Sequence, residues 1–281
     1  MIIAPPVAQV GCSLATLNTP ALVLDLEAFE FNLRQMAALA QRHGVALRPH
    51  AKAHKCVAIA QAQMAQGAVG LCCQKLSEAY PFANAGIGNL LISNEFVGPQ
   101  KVAMALELAQ VCHLSVCVDH VDQIHALGAA FDAAGLRLSV LAEIDIGQTR
   151  CGVTSLEELL VLVEAIQGYQ SLHFGGLQAF NGKIQHEAAF SLRKTAAMVA
   201  IDLVASYVRG LEARGIAVET VTGGGTGTAE FDVTSGVYTE IQPGSYVIMD
   251  RHYGASEWSG AVTPRHSLKV ATTVMSTHPS G

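Results

Sequence analysis

Apolar positions along this chain fall into two alternating rhythms. Short apolar runs at residues 45–51, 68–73, 89–93, 113–118, 136–144, 172–178, 216–222 and 238–241 read as buried strands. Between them, residues 56–66, 76–85, 99–110, 121–134, 155–167 and 186–214 repeat apolar residues at helical spacing. A short strand at 21–26 and a helix at 27–43 precede the series. Eight strand–helix units predict an α/β fold, a (β/α)8 TIM barrel rather than an open sheet. The last unit is the thinnest, because little helix separates its two strands. After Asp250 the pattern changes: residues 252–260 are polar and loop-like, and 267–275 are rich in β-formers. The expected organisation is an N-terminal segment at 1–20, packing with a β domain, then a barrel at 21–250. Residues 251–281 are expected to be the start of that C-terminal β domain, cut short.

Composition narrows the classes. Hydrophobic residues make up 51% of the 281 positions and charged residues 14%, which suits a parallel sheet buried on both faces. The net charge is −6 and no basic run occurs, so a nucleic-acid surface is excluded. The 7 cysteines show no paired CxxC spacing, which points to reduced thiols. Residues 1–18 lack the basic start of a signal peptide, and Asp202 breaks the most apolar helical stretch. A soluble cytoplasmic protein with no membrane partner is expected.

Chemistry in such barrels gathers at the C-terminal ends of the strands. Those ends bring Lys52, Gln74, Glu143, Asp145, Arg150, Gln178, Gln242, Gly244 and Ser245 together with the run Gly223-Gly224-Gly225-Thr226. Lys52 ends the first strand, where partial burial lowers an amine pKa and suits it to bind a carbonyl cofactor as a Schiff base. Lys55 competes for the role, but it is expected to open the next helix. The glycine-rich run can be an ordinary turn or an anion nest. Its place after the seventh strand favours phosphate. His50 and His54 have an HxxxH spacing, but Pro49 argues against a helix there, so packing roles are expected. A lone His186 reads more readily as a helix-start residue than as a base. Cys72 and Cys73 read as core thiols.

Six ordered motifs carry a resemblance. They are Arg48-Pro49-His50-Ala51-Lys52-Ala53-His54-Lys55, Cys72-Cys73-Gln74-Lys75-Leu76-Ser77-Glu78-Ala79, the stretch from Glu143 to Val153, the stretch from Gly176 to His186, Gly223-Gly224-Gly225-Thr226-Gly227, and Gln242-Pro243-Gly244-Ser245-Tyr246. Together they resemble the D-threonine aldolase and 3-hydroxy-D-aspartate aldolase family, pyridoxal-phosphate enzymes with an alanine-racemase-like barrel. The resemblance runs from Asn18 to the chain end.

It implies retro-aldol cleavage of a D-β-hydroxy amino acid to glycine and an aldehyde. It implies that Lys52 holds pyridoxal 5'-phosphate and that Arg150 faces the cofactor's phenolic oxygen. Gln74 and Gln178 would line the ring, and Gln242 would fall near the pyridine nitrogen. Gly224, Gly225, Thr226 and Ser245 would bind the phosphate, and His186 would take the proton of the substrate hydroxyl. A divalent metal, Mn2+ or Mg2+, would assist at that hydroxyl, with ligands expected beyond residue 281, so no metal residue is assigned. Phe180 stands where many relatives carry tyrosine, so one polar contact near the substrate is expected to be missing. A homodimer follows by analogy. Two alternatives stay open: a dehydratase acting on D-serine or D-3-hydroxyaspartate, and a noncatalytic pyridoxal-phosphate homeostasis protein.

Overall fold

The computed structural model describes residues 8–277. Strand β1 (Ala21–Leu24) stands apart from the central sheet. That sheet holds eight parallel strands: β2 (Ala46–Leu47), β3 (Leu71–Cys73), β4 (Asn89–Ile92), β5 (His113–Val118), β6 (Leu138–Glu143), β7 (Leu172–Ala179), β8 (Thr220–Gly223) and β9 (Glu240–Ile241). Their order is β2-β9-β8-β7-β6-β5-β4-β3. The two ends of that order meet: His50 bridges Cys72 in parallel, Val69 N donates to Leu47 O at 2.9 Å, and Cys72 N donates to Pro49 O at 2.9 Å. The sheet therefore curls into the expected barrel.

Side-chain alternation explains why these runs form strands. Cys72, Leu91, Cys117 and Leu141 come from four neighbouring strands and pack as one layer inside the curl. Their neighbours Leu71, Leu90, Val116 and Val140 face the helices in the main core. Cys72 and Cys73 are both buried core thiols, one on each face. Each fully buried Leu or Phe contributes about 1.5–3 kcal/mol relative to exposure.

The helices carry their own signals. Helix α1 (Leu26–His43) starts at Asp25, whose side chain accepts from Ala28 N, and ends at Gly44 with φ 67°. Helices α2 (Val57–Ala65), α3 (Leu76–Asn84), α4 (Pro99–Ala109) and α5 (Val121–Ala134) follow. Helix α6 (Leu156–Gln167) opens on a capping box of Ser155 and Glu158. Helix α7 (Phe190–Glu212) is the longest, and α8 (Ala229–Asp232) is the single turn between β8 and β9. A last turn, α9 (Arg251–Gly254), precedes β10 (Leu268–Ala271). Strand β10 pairs antiparallel with β1, Leu22 opposite Val270. No helix among the described residues is long and apolar enough to cross a membrane.

Three local expectations need correction. The first barrel strand does not run to residue 51. Pro49 removes a ladder donor, and the chain turns into a 3-10 turn at Ala51–Ala53, so Lys52 sits on that turn rather than on a strand end. Lys55 does not open a helix: it has φ 51°, and α2 begins at Val57. Helix α7 begins at Phe190, which leaves His186 in the loop after β7. Residues 1–7 of the expected N-terminal segment, and 278–281 of the expected β domain, lie outside the described residues.

Candidate active site

The C-terminal ends of the barrel strands enclose a cavity of about 210 Å³. Of the residues singled out from the sequence, Lys52, Gln74, Arg150, Gln178, His186, Gly224, Gly225, Thr226, Gln242, Gly244 and Ser245 line it, and Glu143, Asp145 and Gly223 do not. Sequence reasoning did not single out Ser93, Gln185 or Tyr253, which line it too.

Lys52 is fixed from behind. Its backbone N donates to His50 Nδ1 at 3.3 Å, and His50 Nε2 lies 3.1 Å from Ser93 Oγ. Burial and the Lys52 charge hold the His50 pKa well below its usual value, so the ring is neutral. With Nδ1 accepting, Nε2 carries the proton and donates to Ser93. His54 is neutral as well, its pKa brought down to about 4 by burial. Its Nδ1 accepts from Cys56 N at 3.0 Å and its Nε2 meets Gln63 Oε1 at 3.2 Å. Both histidines are committed to internal bonds, which explains why their spacing makes no metal pair.

The Lys52 amine sits 5.4 Å from the centre of the Phe180 ring. It stays open to solvent through the cavity mouth, yet the surrounding protein atoms lower its pKa, and the Arg150 charge lowers it further. That shift enlarges the unprotonated fraction, the form that attacks a carbonyl. Lys55 differs in every respect: it does not line the cavity, is largely exposed, and pairs with Glu78 at 3.2 Å.

Across the cavity, the loop after β8 is glycine because nothing larger fits. A Cβ on Gly224 would lie 2.2 Å from Asp232 Oδ2, and one on Gly225 would lie 2.4 Å from Gln185 Oε1. A Cβ on Gly227 would lie 2.1 Å from the Gln185 backbone oxygen. Gln185 braces the loop, accepting from Gly227 N at 3.0 Å and donating to Thr228 Oγ1 at 3.0 Å. Tyr246 N donates to Thr226 Oγ1 at 3.0 Å, which ties this loop to the Gly244-Ser245 turn. The backbone N–H groups of Gly224, Thr226 and Ser245 have no protein acceptor among the described residues. Converging free N–H groups with the Thr226 and Ser245 hydroxyls suit a phosphate.

Arg193 holds the outer side of that loop. It is fully buried, and its guanidinium donates to Gly227 O at 2.9 Å and to the backbone oxygens of Ala188, Glu187 and Glu257. Nothing in the sequence marks this role, since an arginine on a long helix reads as surface.

The floor of the cavity is neutral. Gln242 Nε2 donates to Gln178 Oε1 at 2.8 Å and to Thr222 Oγ1 at 2.9 Å. Thr222 donates to Glu240 at 2.7 Å, and Glu240 pairs with Arg48 at 2.8 Å. Gln74 donates to Asn94 Oδ1 at 3.2 Å. Arg150 enters from the side, donating to Glu143 Oε1 at 3.4 Å. Burial pushes the Glu143 carboxyl well above the usual carboxylate range, the neighbouring Glu95 adds to it, and Arg150 works against it.

His186 packs against Tyr253, ring centres 4.4 Å apart, with His252 at 5.6 Å. Tyr253 is delivered by the helical turn α9, where a polar loop was expected. Asp250 caps that turn by accepting from Tyr253 N at 3.0 Å. The cavity lining includes no carboxylate and no thiol among the described residues, so it does not by itself hold a divalent metal.

A cofactor with a phosphate, a planar ring and an aldehyde fits this arrangement: free backbone donors at one end, an amine with a lowered pKa at the other, and a neutral amide floor between.

The comparisons agree with the geometry. Residues 24–252 match the family described as alanine racemase, N-terminal domain. A D-threonine aldolase from an Arthrobacter species is 52% identical over 97% of this chain and 72% of its own length. A 3-hydroxy-D-aspartate aldolase from Paracoccus denitrificans (strain Pd 1222) is 40% identical over 95% of this chain and 70% of its own. The crystal structure of a D-threonine aldolase from Filomicrobium marinum superposes with a TM-score of 0.92 at 46% identity, covering 94% of this chain and 72% of that one. Dehydratases on the same scaffold are more distant.

Proposed function

This chain belongs to the alanine racemase N-terminal domain family, and from that premise we propose that it cleaves a D-β-hydroxy amino acid, D-threonine or 3-hydroxy-D-aspartate, to glycine and an aldehyde. It is a pyridoxal-phosphate-dependent carbon–carbon lyase. The observation that carries the reading is the convergence on one cavity of Lys52, Arg150, His186 and the glycine-rich loop, in a chain half identical to a D-threonine aldolase.

The residues divide the work. The free N–H groups of Gly224, Thr226 and Ser245, with the Thr226 and Ser245 hydroxyls, bind the phosphate. Lys52 Nζ would hold the cofactor through its carbonyl carbon. Arg150, steadied by Glu143, would face the phenolic oxygen, and Gln74, Gln178 and Gln242 would line the ring with neutral amides. Bound there, pyridoxal phosphate supplies an electron sink for the pair left on Cα when the Cα–Cβ bond breaks. His186, its ring held against Tyr253, takes the substrate's β-hydroxyl proton. The rigid cradle fixes which bond at Cα is aligned to break.

Metal assistance by Mn2+ or Mg2+ would need ligands that the cavity lining does not supply. The same reading carries a cytoplasmic homodimer in which a barrel at 21–250 is followed by the start of a β domain.

The test is incubation with pyridoxal phosphate, Mn2+ and D-threonine. Glycine and acetaldehyde in equal amounts are expected, and both are lost in Lys52→Ala. Ammonia and a keto acid would assign the dehydratase activity instead. Cofactor uptake without turnover of any D-β-hydroxy amino acid would leave a noncatalytic binding protein.

A further inference from the structure

Behind Arg150, outside the cavity, four acidic groups converge with few partners. Glu95 follows β4, Asp119 follows β5, and Cys151 lies in the loop after β6. Each offers one ligand atom, and the three atoms lie within 4.8 Å of one another. Glu143, at the end of β6, faces Glu95 and is only 2% exposed. Its Oε1 accepts from Arg150, while its Oε2 and both Glu95 oxygens meet only each other and the Cys151 thiol, with no donor from outside the group. All three oxygens are shielded from solvent.

Buried carboxylate oxygens almost always accept hydrogen bonds, and leaving them bare costs free energy. Arg150 neutralises one carboxylate at most. Asp119 is already aimed: its Oδ1 accepts from Gln123 Nε2 at 3.0 Å and its Oδ2 from Gly152 N at 3.1 Å. A cation at the centre of Glu95, Asp119 and Cys151 would give the Glu95 carboxylate the partner it lacks outside the group. Metal–ligand bonds of about 2.0–2.3 Å place neighbouring ligand atoms somewhat under about 4 Å apart, a short contraction from the present spacing. Glu95 and Asp119 each line a separate depression in the surface.

We propose that Glu95, Asp119 and Cys151, backed by Glu143, form a binding site for a divalent transition-metal cation of the zinc type. A thiolate among carboxylates favours Zn2+ or Co2+ over Mg2+ or Ca2+. Binding forms an S–metal bond and releases the Cys151 thiol proton to solvent. The cation ties the loops after β4, β5 and β6 together directly behind the guanidinium of Arg150. None of the three ligands lines the cavity, so this site is separate from any metal that assists at the substrate hydroxyl.

The test is titration of the chelator-treated protein with Co2+ alone. One equivalent bound with a thiolate-to-cobalt charge-transfer band is expected, displaced by Zn2+. Cys151→Ser removes the band, and Glu95→Gln and Asp119→Asn each weaken binding by at least about tenfold. A second measurement needs no variant: stoichiometric Zn2+ slows alkylation of Cys151, read by peptide mass spectrometry, while exposed Cys12 alkylates at an unchanged rate. Cobalt uptake without a thiolate band, uptake undiminished in folded Cys151→Ser, or no uptake at all would overturn the proposal. The last result would leave the two glutamates sharing a proton.

Discussion

The two sides of the barrel's C-terminal face are built from opposite materials. The loops after β7, β8 and β9 offer an anion backbone N–H groups and hydroxyls, braced by Gln185 and Tyr246, and no charged side chain of theirs lines the cavity. The loops after β4, β5 and β6 crowd Glu95, Asp119, Glu143, Arg150 and Cys151 together. The neutral half positions by shape, because backbone dipoles held by close packing need no reorganisation when an anion arrives. The charged half positions by electrostatics, and its geometry depends on what neutralises the carboxylates.

Removing Arg150 should separate the halves most sharply. Arg150→Ala is expected to lower kcat by about 10²- to 10³-fold, while cofactor affinity, read from absorbance titration, changes far less. A comparable loss of affinity would mean that the charged half also carries binding.

Arg193→Ala strikes the neutral half from outside. It strips donors from Gly227 and three other backbone oxygens. A loss of about 3 kcal/mol is expected in denaturant unfolding.

Gly227→Ala pushes a Cβ into the Gln185 backbone, which cannot swing aside as a side chain can. About 2–3 kcal/mol of stability should go, with cofactor affinity falling in parallel.

How much of this was legible from the sequence depends on whether a feature is local. The strand–helix rhythm was readable because Cys72, Leu91, Cys117 and Leu141 alternate with outward-facing Leu71, Leu90, Val116 and Val140 at period two. The cavity-lining residues among those expected were legible because each lies in a short motif near a strand end. Arg193 and Tyr253 were missed because their partners are far along the chain: Arg193 reaches Glu257, and Tyr253 meets His186. The position of Lys52 was misread by a turn, since the effect of Pro49 on the ladder is visible only once β9 is in place. The Glu95 and Glu143 oxygens that lack an outside donor have no signature in sequence, because they are defined by what does not surround them.

The smallest expected effect is a pH dependence lodged in the neutral half. Asp232 accepts from Thr228 Oγ1 at 2.6 Å, and burial raises its pKa from 3.8 to about 7. The folded state then binds this proton more tightly than the unfolded chain does. Its contribution is full below the unfolded pKa and is lost as pH rises through the folded one. Stability should fall by about 2 kcal/mol between about pH 5 and 8. Asp232→Asn should flatten that slope, as read from denaturation midpoints at each pH.

Lys52 is proposed as the amine that holds the cofactor. Reduction of the cofactor-loaded protein with borohydride, followed by digestion and mass spectrometry, tests this most directly. One pyridoxyl label per chain on the peptide site of Lys52, absent from Lys52→Ala, is the expected result. A label on Lys55 or scattered over surface lysines, with Lys52 unmodified, would contradict it.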